Sequence, residues 1–593
     1  MEGKQTIMRR SALAAVAAIG SASLLLAGCS KADDNKDGGS GTPKAAGANA
    51  ATTGVVNASD KKGGTVTYEM SDVPDSFDPG NTYYAYMYNF SRLYARPLMT
   101  FAPGPGEKGN TLVPDLAASK GVPSDGGKTW TYKLRPGLKY QDGTPITSKD
   151  VKYAVERSNF ARDVLSLGPN YFQQFMKGGD KYKGPYKDKS AKGLSSIETP
   201  DDTTIVFHLN RAFQEFDYLV SAPQTAPVPQ AKDDGVDYVK HIVSSGSYQF
   251  QSYEEGKQVV LVRNKNWDPK TDPLRKQLPD KIVVNLKVNP ETIDKDLQSG
   301  DATVDLAGSG VQASTQAQLI NSADGKAATD NTYAGRLVYM AINSQVKPFD
   351  NVACRKAVQY AIDKVSVQTA EGGPIRGEVA TTVLPPDITG YQKTDVYATP
   401  GNKGDIAKAK AQLKACGKSS ISTNISARSD RPQEVDAATA IINSLKKVGI
   451  NASLKQYPSG KYFTDYAGVP KFTEKQNIGL MMMQWGADWP SGYGFLQQIL
   501  NGKAISQSGN TNLSQYDNKK VNGLLDSAIA TEDPAKRNEL YGQIDKQTMD
   551  DAVLVPLTYF KVLLYRSPYA TNVVSTAAFS GEYDYLNLGT TKK

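Results

Sequence analysis

The sequence predicts a mixed α/β protein with at least two lobes. Its 593 residues are too many for one hydrophobic core, since cores stop growing beyond roughly 250–300 residues. Alternating apolar and polar residues predict strands, and apolar residues at helical spacing predict helices, in both halves of the chain. A hydrophobic content of 39% and a charged content of 22% are ordinary for a globular protein.

The N-terminus is predicted to be an export signal. A basic start containing Arg9 and Arg10 precedes an apolar run over 11–28 that ends in small residues. Leu26-Ala27-Gly28-Cys29 resembles the bacterial lipobox, in which cleavage precedes the cysteine and the cysteine is then lipid-modified, as by palmitate. We expect the protein to be exported by general secretion or by the twin-arginine route, and residues 1–28 to be removed. Cys29 would then anchor the protein to the outer face of the cytoplasmic membrane. No later stretch approaches the ~20 apolar residues of a membrane helix.

Residues 29–62 are predicted to be a disordered tether. They consist mostly of Gly, Ala, Ser, Thr, Asn and charged residues, without a periodic apolar face. Such a segment holds a folded body away from the membrane and lets it turn freely.

Strand and helix patterns follow along the rest of the chain. Val66, Tyr68 and Met70 alternate with polar residues, which predicts a strand. Thr147 with Asp150 three residues later is typical of a helix start with a capping box. Further strands are predicted at 130–135, 203–210, 246–267 (a hairpin), 281–288 and 451–458, and residues 337–350 are predicted to be a strand that runs into a loop. Further helices are predicted at 291–306, 351–364, 405–417 and 436–450.

The charges, histidines and cysteines exclude several kinds of site. The net charge of +8 is mild for this length, and no Lys/Arg block has interleaved aromatics, so we expect no nucleic-acid binding. The histidines are His208 and His241, and with Cys354 and Cys416 they form no spaced ligand set, so we expect neither a metal nor a cofactor. Cys354 and Cys416 either pair in a disulfide or remain two buried thiols.

The segment WGADWP, residues 485–490, contains the candidate binding group. Asp488 lies between Trp485 and Trp489, so an anion is flanked by two aromatic side chains. This arrangement is suited to a cationic ligand group. The structural alternative is that Asp488 caps a turn and the tryptophans belong to the core.

Several motifs occur in the order found in one family. These are the lipobox, DSFDP (75–79), WTYKLRPGLKYQDGTPITSKDV (130–151), SSGSYQF (244–250), VRNKNWDP (262–269), YMAINS (339–344), PFDNVACRKAVQYAIDK (348–364) and WGADWP. The chain from residue 63 onward resembles the family-five extracellular solute-binding proteins, the dipeptide- and oligopeptide-binding components of ABC importers.

The resemblance implies a periplasmic-binding-protein-like fold of type II, with two lobes that close on a ligand about a hinge. Residues 63–333 and 556–593 would form lobe one, with an extra subdomain inserted at about 100–245. Residues 334–555 would form lobe two.

The resemblance also implies roles for the WGADWP region. Asp488 would pair with the α-ammonium of a bound peptide, and Trp485 and Trp489 would exclude water from it. The backbone of Gln484, Trp485 and Gly486 would pair with the peptide like a neighbouring strand.

Two further groups of ligand-binding residues are implied. Tyr83, Tyr84 and Ala85 would support the peptide from the other lobe. Arg428, or Arg431 three residues on, would bind the terminal carboxylate, although longer peptides could leave that end in water.

The predicted function is peptide capture for import. We expect a monomeric, extracytoplasmic, lipid-anchored protein whose partners are a short peptide, an ABC permease and the ATPase subunits of that permease. The first alternative is an oligosaccharide or another small solute, because tryptophans and a carboxylate also suit sugars. An exported hydrolase is a weaker alternative: no GxSxG motif is present, and we expect no enzyme activity.

Overall fold

The computed structural model describes residues 46–190 and 192–592, apart from the side chain of Glu107. The predicted signal 1–28 and Cys29 lie outside the described residues. The strands are β1 (Thr65–Met70), β2 (Met99–Phe101), β3 (Leu112–Pro114), β4 (Val122–Ser124), β5 (Thr129–Lys133), β6 (Ile197–Asp201), β7 (Thr204–His208), β8 (Tyr248–Glu254), β9 (Gln258–Arg263), β10 (Lys281–Leu286), β11 (Val304–Asp305), β12 (Thr329–Ile342), β13 (Gly377–Val379), β14 (Ile421–Arg428), β15 (Ile450–Tyr457), β16 (Ile478–Gly486), β17 (Leu554–Tyr565), β18 (Ala570–Thr571) and β19 (Gly589–Thr590). The α-helices are α1 (Ala50–Thr53), α2 (Ala85–Ser91), α3 (Ser148–Phe160), α4 (Tyr171–Phe175), α5 (Phe216–Leu219), α6 (Pro290–Ser299), α7 (Ala313–Ile320), α8 (Ala323–Ala327), α9 (Val352–Ala361), α10 (Lys364–Ala370), α11 (Ile406–Ala415), α12 (Pro432–Lys446), α13 (Pro470–Lys475), α14 (Gly492–Leu500), α15 (Lys519–Ala530) and α16 (Pro534–Asp551).

Sheet A has five strands in the order β11-β1-β10-β9-β8. β1 lies parallel to β10 and β11, whereas β8 and β9 form the predicted antiparallel hairpin. Val66, Tyr68 and Met70 are buried in the core beneath this sheet. The alternation in the sequence therefore identifies the inward face of β1 correctly.

Sheet B has six strands in the order β13-β17-β12-β16-β14-β15. Its long antiparallel pair, β12 and β17, contributes to more than one core: Val562 packs in the core beneath sheet A, whereas Val555 packs in a core of sheet B. The predicted lobe boundaries, 333/334 and 555/556, fall within these two strands.

Sheet C, in the order β4-β5-β7-β6, lies within the predicted inserted segment 100–245. The hydrophobic core beneath sheet C also contains buried side chains from the residues that follow β16 in the chain. The Phe213 ring lies 5.7 Å from the Tyr493 ring, and the Tyr171 ring lies 5.1 Å from the Trp489 ring. The inserted segment therefore packs directly against the WGADWP region.

The predicted tether is too long at its C-terminal end. Residues 46–62 are packed on the folded body: the Ala51 amide donates to Asp330, and Val56 pairs with Val573. Asp330 is buried and also forms an ion pair with Arg566. Composition alone missed these contacts because their partners lie far along the chain.

Two predicted helices have different bounds in the structure. The helix predicted at 291–306 ends at Ser299, because Gly300 has a φ of 79° and terminates it, and a short strand follows. The helix predicted at 436–450 begins earlier, with Pro432 in its first turn, where proline is well tolerated. The capping box at Thr147 is confirmed, since the Thr147 amide donates to Asp150 at 2.7 Å.

Cys354 of α9 and Cys416 at the end of α11 form a disulfide, with their Cα atoms 5.2 Å apart. Of the two alternatives that the sequence left open, the structure therefore has the paired one. Among residues 46–190 and 192–592, no helix combines the length and apolar character needed to cross a bilayer.

Candidate functional site

A cavity of about 350 Å³, here called the cleft, lies where sheet B, the inserted segment and the start of α2 meet. This volume is at the lower end of the range for ligand pockets. All nine predicted binding residues line it: Tyr83, Tyr84, Ala85, Arg428, Gln484, Trp485, Gly486, Asp488 and Trp489. The fold thus brings together segments that are separated by about 400 positions in the chain.

Asp488 is partly buried in the cleft, two residues beyond β16. Its carboxylate accepts hydrogen bonds from the hydroxyls of Tyr83 and Tyr171. Burial raises the pKa of Asp488, while these two hydrogen bonds act in the opposite direction. Within the described part of the chain no cationic side chain pairs with Asp488, so its charge is compensated only by neutral donors.

The two tryptophans around Asp488 have different environments. Trp489 is buried, and its indole N–H donates to Glu215 at 2.9 Å. Trp485 is partly exposed in the cleft, and its indole N–H donates to the Phe495 carbonyl at 2.8 Å. Trp489 therefore fits both alternatives, as a core residue and as a wall of the cleft, while Trp485 presents more of its surface to the cleft.

The end of β16 is a strand edge with one open side. On one side, Gly486, Trp485 and Gln484 pair with β12. On the other side, the ladder with β14 ends at Met481, although β16 continues to Gly486. An extended ligand can therefore add to this edge through backbone hydrogen bonds.

The segment from Tyr83 to Ala85 lies at the start of α2. The Tyr83 amide donates to Asp75 at 2.7 Å, which fixes the turn that precedes the helix. Tyr83 and Tyr84 are 49% and 54% exposed, high values for large aromatic side chains. Both rings are thus available to a ligand from the side opposite sheet B.

Arg428 lines the cleft but already has a partner. Its Nε donates to Glu434 at 2.8 Å, and its own backbone amide donates to the same carboxylate at 2.7 Å. This pairing neutralises much of the charge that a ligand carboxylate would need. Arg431 also lines the cleft and is exposed, so the second arginine considered from the sequence is the freer of the two.

Three residues of the site were missed by sequence analysis. Tyr171 and Glu215 lie in the inserted segment, where nothing in the local pattern relates them to Asp488 or Trp489. Arg336 lines the cleft from β12. Of these three residues, only Arg336 has a feature that could have marked it as part of a site: it is a charged residue in a strand whose other residues are mostly buried.

The described residues contain no group of three or more His, Cys, Asp or Glu side chains that could hold a metal ion. The charged groups of the cleft are one carboxylate and three guanidinium groups. Chemically, this set can bind ammonium and carboxylate groups.

Comparison with known proteins identifies the family. The model of the bacterial extracellular solute-binding proteins, family 5, matches residues 111–507. The chain belongs to this family. As a family-5 solute-binding protein it is of the ABC-transporter type, for peptides or related ligands, and its relatives are solute-binding proteins rather than enzymes.

Individual relatives agree with this assignment. The family-5 chain is 39% identical to the solved structure of clavulanic acid biosynthesis oligopeptide binding protein 2, with a TM-score of 0.89 over 93% of this chain and 100% of the other. It is 26% identical to the probable D,D-dipeptide-binding periplasmic protein of Escherichia coli strain K12, over 76% of this chain and 80% of the relative.

A third comparison concerns the fold alone. The peptide-bound periplasmic binding protein DppA from Helicobacter pylori is 22% identical to the family-5 chain, with a TM-score of 0.66 over 90% of this chain and 99% of the other. The predicted two-lobe binding-protein fold is therefore confirmed.

Proposed function

We propose that this protein captures short peptides in the cleft by pairing their α-ammonium group with Asp488. The observation that carries the proposal is a desolvated carboxylate whose pKa is raised and which has no cationic side chain as partner among the described residues. An ammonium group supplies the missing charge and forms charge-assisted hydrogen bonds. It also offsets the cost of burying the carboxylate.

The open edge of β16 supports a peptide over a sugar. Backbone pairing with Gln484, Trp485 and Gly486 recognises the peptide main chain and not its side chains, so it permits a broad range of sequences. The names of two relatives, which refer to D,D-dipeptides and to oligopeptides, agree with this ligand class. A sugar would instead rely on stacking against Trp485 and would leave the strand edge unpaired.

The proposed role in the cell is import. A signal over 1–28 and a lipid on Cys29 would hold the monomeric protein at the outer face of the membrane. The closed, peptide-loaded form would dock on a permease driven by ATPase subunits. Because a ligand favours closure only through its higher affinity for the closed state, the peptide must contact both sides of the cleft.

The test is a double-mutant cycle measured by calorimetry. Wild-type protein and the Asp488→Asn variant are titrated with the same short peptide, with free and with acetylated N-terminus. Since a hydrogen bond to a charged group contributes about 1.5–3 kcal/mol, each single change should weaken binding about tenfold or more. Both changes together should cost little more than one, because they remove the same interaction.

Asp436→Asn, an exposed position on α12, is the matched control and should leave affinity unchanged. Independent, additive effects of acetylation and Asp488→Asn would contradict the ammonium role. Binding of an oligosaccharide, with no binding of any peptide, would replace the peptide proposal with its alternative.

A further inference from the structure

The charged residues that line the cleft are unequal in sign. They are Asp488, Arg336, Arg428 and Arg431. Arg428 is neutralised by its hydrogen-bonded ion pair with Glu434. The remaining charges are therefore one carboxylate and two guanidinium groups, which gives the cleft an excess positive charge.

Arg336 and Arg431 have no counterion within bonding distance among the residues that the structure describes. Within residues 46–190 and 192–592, neither guanidinium group forms a side-chain hydrogen bond or an ion pair, in contrast to Arg428. Burial lowers the pKa of Arg336 and of Arg431, and the neighbouring charge of Arg428 lowers the pKa of Arg431 further. Arg336 is thus half-buried without the partner that usually accompanies such burial, whereas Arg431 is more exposed.

The nearest carboxylates do not remove this excess. Glu582 interacts with Arg336, but the two form no ion pair in the described part of the chain, and burial raises the pKa of Glu582 well above its ordinary value. Glu434 and Asp430 both interact with Arg431. Glu434 is hydrogen-bonded to Arg428, however, and Asp430 accepts hydrogen bonds from the amide and hydroxyl of Ser459.

The two arginines lie near the same end of sheet B, where the parallel strands β14 and β16 both stop. Arg336 on β12 is directly opposite Gly486, at the end of the open strand edge. Arg431 precedes the first turn of α12, three residues after β14 ends. A peptide that adds to the open edge of β16 would therefore share the cleft with both arginines.

We propose that the preferred ligand carries two carboxylates for its one ammonium group, as in a short peptide with an acidic side chain. This inference rests on the proposed function, because it takes Asp488 as the ammonium site. One arginine would bind the terminal carboxylate and the other the side-chain carboxylate. Guanidinium groups suit this task because they bind carboxylates in a two-pronged geometry. A neutral peptide would leave one of the two cations unpaired in a closed cleft.

The experiment measures the preference for a carboxylate over its neutral isostere. Tripeptides with Glu or with Gln at the second or third position, in an alanine background, are titrated calorimetrically into wild-type protein. At one of these positions the Glu peptide should bind at least tenfold tighter than the Gln peptide. In Arg336→Gln or in Arg431→Gln, that ratio should fall to about one, whereas affinity for the Gln peptide should change less.

Lys446→Gln is the matched control, since it removes one exposed positive charge at the far end of α12. It should keep the Glu/Gln ratio, which separates a local contact from a general effect of charge. Thermal unfolding of each variant verifies that it is folded.

The possible failures are distinguishable. If Glu and Gln peptides bind equally and acetylation of their N-termini weakens both, the acidic preference is wrong and the ammonium site remains. If none of these tripeptides binds, the proposed function fails, and this inference fails with it. A ratio that persists in both arginine variants would also overturn the assignment.

Discussion

At the scale of single residues, Asp488 shows how the environment sets the chemistry of a side chain. Tyr83 and Tyr171 donate hydrogen bonds to its carboxylate, and burial nevertheless raises its pKa. Neutral donors fix the orientation of the group without supplying a positive charge. The result is a carboxylate that is oriented but lacks a counterion in the described part of the chain, which suits a cationic ligand.

Peptide affinity is expected to depend on pH through Asp488. An ammonium group binds the ionised carboxylate, so in acid the carboxyl proton must leave before the peptide can bind. Affinity should fall, by at most about tenfold per pH unit, as the pH drops through the raised pKa of Asp488 in the free protein. The fall should begin above about pH 4, the ordinary range of an aspartate. Calorimetry across this range measures it.

The Asp488→Asn variant is the control for the other titrating groups near the cleft. It should bind more weakly than wild type at pH 7 and should lack the decline in acid. A decline of equal size in both proteins would assign the effect to another group, such as Asp387, whose pKa burial raises to about 6.

At the scale of elements, local signals predicted the strands and helices best. The alternation in β1 and the capping box of α3 are encoded within a few residues, and both were predicted correctly. Helix ends were predicted less accurately, because the apolar pattern of α6 continues past the glycine that stops it. The open edge of β16 had no local signal, since it depends on where β14 ends.

The Cys354–Cys416 disulfide links α9 with the end of α11 across 62 positions of the chain. Replacing both cysteines by serine should lower the free energy of unfolding by about 2–4 kcal/mol, mainly because the unfolded chain regains freedom. Urea denaturation measures this as a lower midpoint. Peptide affinity should be unchanged, since neither cysteine lines the cleft. An unchanged midpoint would show that the bond contributes nothing to stability.

At the scale of the whole molecule, Glu215 connects distant parts of the fold. It lies in the inserted segment and is buried, and its carboxylate accepts hydrogen bonds from Trp489 (2.9 Å), Ser491 (2.6 Å) and Tyr541 (2.7 Å). Arg537 adds an ion pair at 3.3 Å. These contacts hold the inserted segment against the WGADWP region, so they stabilise the compact arrangement around the cleft.

The Glu215→Gln variant should favour an open form. It keeps the shape of the side chain but removes the charge that strengthens each of its hydrogen bonds. Because the compact arrangement around the cleft is then less stable, peptide affinity should fall by roughly tenfold. Small-angle X-ray scattering should show a larger radius of gyration without peptide than in wild type, and a smaller difference at saturating peptide. Glu198→Gln, an exposed position in the same segment, is the control. Identical scattering and affinity in both variants would contradict this role.

The sequence by itself determined the family, the α/β class, most strands and helices, and the segment that contains Asp488. These features depend on short patterns and ordered motifs, which are readable within the chain. Only the tertiary structure decided which charges are compensated. Tyr83 and Tyr171 reach Asp488, and Glu434 neutralises Arg428, whereas Arg336 and Arg431 have no ion-pair partner within residues 46–190 and 192–592. The physical reason is that charge compensation depends on distances of a few ångströms, and contacts such as those to Asp488 join residues hundreds of positions apart.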